Sequence, residues 1–64
     1  MTSEMIRNLT PGEVERAYYS YKGICDIYEE LYGGPNKAAQ FREYIVADRT
    51  SIQLWRRLKE LGAV

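Results

Sequence analysis

Three observations predict an all-α fold. A helix start near Thr10 carries four agreeing local signals. Apolar residues then recur at three- and four-residue spacing as far as Tyr32. A second stretch, Asn36 to Leu61, contains neither glycine nor proline. The expected architecture is a small three-helix domain with helices at about 11–32, 36–46 and 49–61; the alternative is a two-helix antiparallel hairpin.

Residues 1–9 show no periodicity and are expected to form a flexible N-terminal arm, leaving 10–64 as a single helical domain. In Thr10-Pro11-Gly12-Glu13 the threonine can cap. Pro11 occupies the first helical position, where its missing N–H costs nothing, and Glu13 completes a capping box. Leu9 and Val14 are placed to form a hydrophobic staple across that cap. Val14, Ala17, Tyr18, Tyr21, Ile24, Cys25, Tyr28, Leu31 and Tyr32 then read as one stripe of a helix roughly 33 Å long. Gly33-Gly34-Pro35 ends it, with glycine suited to a left-handed cap and proline unable to continue the helix. Gly23 falls on the polar side and is expected to be tolerated at about 1 kcal/mol relative to alanine.

The stretch after Asn36 admits two readings. Ala38, Phe41, Tyr44 and Ile45 share a face, but Asp48-Arg49-Thr50-Ser51 interrupts the pattern. With Phe41 as origin and about 100° per residue, one continuous helix would place Asp48 and Lys59 on the apolar seam. It would also strand Leu54, Leu58 and Leu61 on another side. A break near Ala47-Asp48 removes both conflicts. It makes Asp48 an N-cap and lets Ile52, Trp55 and Leu58 face the core, so Trp55 is expected to be a core residue.

Composition narrows the function classes. The chain has 64 residues, 45% of them hydrophobic, and a domain this small buries only about 60% of its unfolded surface. It has no histidine and one cysteine, Cys25, which excludes an internal disulfide and a Cys/His nucleophilic pair. Cys25 reads as a small buried apolar residue. No enzyme activity, no cofactor and no metal are expected. No apolar run nears the ~20 residues of a membrane span, and no signal-peptide core is present, so no membrane contact and a cytoplasmic location are expected.

The formal charge is zero but unevenly placed. Residues 1–36 hold three basic and six acidic residues, and residues 37–64 hold six basic and three acidic ones. Either the two halves attract each other, or the basic half faces a polyanion. Five of the six tyrosines fall in the first helix, and Tyr18, Tyr21, Tyr28 and Tyr32 lie on its apolar stripe. Tyrosine has an apolar body and a polar tip and is enriched at interfaces, so this stripe is the expected contact for a homodimer or a protein partner.

With a break at 47–48, residues 45–55 resemble the turn and second helix of helix-turn-helix DNA-binding domains, over about residues 38–57. Ile45 matches the apolar close of the first helix, Ala47 the turn, Asp48 the cap, and Ile52 and Trp55 the core positions. Val46 and Arg42 depart from the pattern where glycine and a small residue are usual. The resemblance implies that Arg49, Thr50 and Gln53 meet base edges and that Ser51, Arg56 and Arg57, with Lys59, meet phosphates of double-stranded DNA. A pI near 6.2 weighs against strong non-specific binding. Two functions follow as expectations: a small DNA-binding regulator, or a non-enzymatic helical dimerisation or interaction module that leaves DNA alone.

Overall fold

Four helices account for the chain in a computed structural model that describes residues 1–63: α1 (Ser3–Arg7), α2 (Pro11–Tyr32), α3 (Pro35–Ala38) and α4 (Arg42–Glu60). The fold is all-α, and α2 and α4 pack side by side as an antiparallel hairpin in one layer, with extents of 34 × 20 × 14 Å.

The boundaries of α2 are set locally, as the sequence implies. Thr10 Oγ1 accepts from the Glu13 amide at 3.2 Å, and the Thr10 amide donates to Glu13 Oε1 at 2.9 Å. This closes the capping box. Val14 is fully buried and Leu9 packs on the same cluster, as the staple requires. At the far end Gly33 takes the left-handed conformation at φ 81°, where a side chain would be strained.

The second half corrects the sequence reading. The expected 36–46 helix is split: α3 ends at Ala38, residues 42–46 open α4, and the chain breaks at Ala39–Phe41 instead of at 47–48. Phe41 is extended, at φ −97° and ψ 128°, so the residue taken as the phase origin lies outside the helix. From Arg42 to Glu60 the helix is unbroken. Its seam is Tyr44, Ala47, Ser51, Leu54 and Leu58, at spacings of three and four, flanked by buried Thr50. Two of the leucines that a single helix was expected to strand, Leu54 and Leu58, are therefore its core and Leu61 packs on them partly buried, while Asp48 and Lys59 are exposed. Asp48 does not cap a helix; its backbone carbonyl accepts the Ser51 hydroxyl at 2.7 Å, a bond that satisfies a buried serine inside a helix.

Two clusters make the core. One joins Ile6, Val14, Leu54 and Leu58, and the other joins Cys25, Ala38, Tyr44 and Ala47; Tyr21 packs against both. Tyr21 and Tyr28 of α2 pack on the second cluster, which includes the small residues Cys25, Ala38 and Ala47. Residues 1–9, read from sequence as an arm, contain helix α1, and its Ile6 closes the first cluster. A lone apolar residue in an aperiodic segment gives no local signal of that docking.

Candidate interaction surfaces

The tyrosine stripe expected to meet a partner lies against α4 of its own chain. Tyr18 and Tyr21 pack on the first cluster and Tyr28 on the second. Tyr28 and Tyr32 surround Phe41, with ring centroids at 5.7 and 4.3 Å, and so hold the chain where it turns into α4. Of the four, Tyr32 is the most open.

Other side chains are left for a partner. Taking the buried residues of each helix as its core direction, equal rotation from the core points to the same side of an antiparallel pair. One side carries Tyr18, Lys22, Asp48, Ile52 and Trp55, which with Ser51 line a cavity of about 200 Å3. Trp55 was expected in the core; it is 37% exposed, stacks on Tyr18 at 5.4 Å and lies under Lys59 Nζ at 5.7 Å. It is a rim residue because the seam runs one position earlier, through Leu54, which is fully buried. Ile52, also expected in the core, is exposed beside it.

The opposite side carries Ile24, Ile27 and Leu31 on α2 and Val46 on α4. Ile24 and Leu31 were assigned to the buried stripe, yet they lie about 80–100° off it and share their flank with Ile27. Ile27 is 57% and Leu31 69% exposed. The same angular reckoning applied to the sequence finds this ridge, once the buried direction is taken from Val14 and Cys25 alone.

The residues expected to touch DNA are divided between burial and solvent. Thr50 and Ser51 are buried, at 4% and 5% exposure, and face α2. Arg49, Gln53 and Arg56 are exposed on the outer face of α4. Arg42, Arg49 and Arg56 recur every seven residues there, roughly 10.5 Å apart along the axis. Arg57 turns toward α1 and pairs with Glu60 at 3.3 Å. With Arg56, Gln53 and, from α1, Ser3, Ile6 and Arg7, these two line a second cavity of about 200 Å3, and the buried Nε of Arg57 has no acceptor. Arg7 and Ser3 were missed because 1–9 read as an arm.

Cys25 is buried, and burial pushes its thiol up, with Asp48 and Glu29 adding to the effect. Among the described residues no cluster of His, Cys, Asp or Glu could hold a metal ion, and no helix is long and apolar enough to cross a membrane.

Comparison with known families, curated proteins and solved structures gives no match. The surfaces therefore carry the functional argument.

Proposed function

We propose that the protein is a non-enzymatic helical-hairpin interaction module that docks partners on the flanks of its two-helix layer. The observation that carries this is the ridge of Ile24, Ile27 and Leu31 on α2, three large apolar side chains one helix turn apart and left open. Contiguous apolar surface of this kind on a small chain favours a partner. Lack of histidine and burial of the one thiol support a non-catalytic role. The test is quantitative capture on immobilised protein, comparing wild type with Ile27→Lys and Ile52→Lys after circular dichroism shows equal helicity. Proteins held by wild type and lost from one variant support the module. Identical retention by all three refutes it.

A second reading, double-stranded DNA held along α4, draws on the Arg42-Arg49-Arg56 row and the arginine-lined cavity beside α1. The unbroken helix weighs against a helix-turn-helix docking mode, because that mode needs a turn before its second helix. Contacts along such a row would be mostly to phosphates and so salt-sensitive. A mobility shift at about 50 mM salt tests it: no retained fragment at 10 μM protein removes the DNA reading.

A further inference from the structure

We propose that the cavity between α1 and α4 binds a phosphate monoester, the phosphate of a phosphorylated side chain on a protein partner. The carrier rests on the docking-module reading; the phosphate site itself stands on the residues that line the cavity. Gln53, Arg56, Arg57 and Glu60 recur at three- and four-residue spacing, so they share one flank of α4. Ser3, Ile6 and Arg7 share one face of α1 in the same way. The two rows meet around about 200 Å3. Ile6 is buried in one cluster with Leu54 and Leu58, so the core fixes α1, and with it Arg7, against this flank.

The lining selects the ligand. It holds three arginines against one glutamate. Among the described residues Arg57 and Glu60 form the one ion pair, which leaves Arg7 and Arg56 unpaired. The buried Nε of Arg57 has no acceptor, although buried donors are ordinarily satisfied. An anion with several acceptor oxygens matches what the guanidiniums, the Ser3 hydroxyl and the Gln53 amide can donate together. Glu60 opposes the anion, but its side chain is 63% exposed, so solvent screens the pair at 3.3 Å and a dianion competes for Arg57.

Ile6 is the one apolar residue of the lining, and no aromatic ring contributes to it. Ligand pockets hold an organic body with apolar and aromatic walls, so the part recognised here is the anionic group alone. A monoester phosphate brings roughly two negative charges and three acceptor oxygens to one point. Nucleic acid presents single charges strung along a backbone. Arginines gathered from two helices around one cavity fit the point charge, as arginine clusters do in reading phosphorylated motifs.

Proton–nitrogen NMR titration at constant ionic strength tests the site with inorganic phosphate, O-phospho-L-serine and a short DNA duplex. Both small phosphates should saturate with a dissociation constant on the order of 1 mM. They should move the Arg57 Nε–H signal and the amides of Arg7 and Gln53, while L-serine leaves these in place. Arg57→Gln should weaken binding about tenfold, the loss of one charge-assisted bond. Arg57→Lys should weaken it as well, because lysine keeps the charge but lacks the planar fork. Glu60→Gln should tighten it several-fold by freeing Arg57 and removing a like charge. Lys37→Gln, on α3 at the other end of the layer, should bind like wild type. Absence of saturable shifts with both small phosphates overturns the proposal, as does a Glu60→Gln variant no tighter than wild type or an equal loss in Lys37→Gln. Binding of inorganic phosphate with O-phospho-L-serine excluded overturns the partner assignment. A duplex that moves the same signals at lower phosphate concentration than O-phospho-L-serine overturns the monoester in favour of a nucleic-acid backbone. None of these titrations touches the docking-module reading, which turns on capture through the Ile27 and Ile52 flanks.

Discussion

The Tyr44 hydroxyl donates to Glu29 Oε2 at 3.2 Å and ties the first turn of α4 to the last two turns of α2. Tyr44 is also the first buried residue of the α4 seam, so one side chain sets both the phase and the level at which the helices meet. Burial and this bond both favour the neutral phenol, which pushes the Tyr44 pKa up.

Cys25 and Tyr44 together give the fold an alkaline limit. Both groups titrate higher folded than unfolded, so their contribution is present below their ordinary values of 9.0 and 10.0 and is lost as pH rises past them. Urea midpoints should be level near neutral pH and fall above about pH 9. Cys25→Ala should flatten the onset of that fall, and Tyr44→Phe its later part. An unchanged profile in both variants would remove this account.

At the other end of the scale, Glu13 is held below its ordinary value of 4.5, chiefly by its bonds to Thr10. A lowered pKa gives stability that is present above that value and lost as pH falls through the folded one. Thr10→Ala should lower stability by about 1 kcal/mol at neutral pH, the usual cost of losing an N-cap. The difference from wild type should shrink as pH falls below 4.5 and through the lowered folded value, where Glu13 takes up its proton.

Leu54 and Trp55 should rank in the order opposite to their size. Leu54 is fully buried, and Leu54→Ala should cost about 2–5 kcal/mol by transfer and cavity terms. Trp55 stands on the rim, and Trp55→Ala should cost about 1 kcal/mol. Denaturant unfolding of the two variants measures both, and a Trp55→Ala loss larger than that of Leu54→Ala would return Trp55 to the core.

Residues 46–50 should be helical in solution. Their backbone carbon shifts should match those of the rest of α4, and the amides of Asp48 to Ile52 should exchange slowly. Replacing exposed Arg49 by proline should cost about 3 kcal/mol, the price of a proline in a helix interior. Coil-like shifts at 47–49 would instead restore the turn.

The sequence by itself determined α2, because everything that bounds it is local: the Thr10–Glu13 capping box, Pro11, and the left-handed Gly33 before Pro35. It also determined the all-α class and the burial of Cys25. The path after Gly34 was decided only by tertiary structure. Asp48-Arg49-Thr50-Ser51 also offers a cap residue, though without the proline and glutamate of Thr10-Pro11-Gly12-Glu13, but burying Ala47, Thr50 and Ser51 on the seam requires those residues to stay helical. Phe41 shares the apolar character of the seam, yet it leaves the helix to fill the gap between Tyr28 and Tyr32. That choice shifts the phase of α4, buries Leu54 and Leu58, and turns Ile52 and Trp55 outward. Ile6 docks on the same cluster for the same kind of reason. Each of these outcomes depends on which surface another helix leaves uncovered, and no window of consecutive residues contains that information.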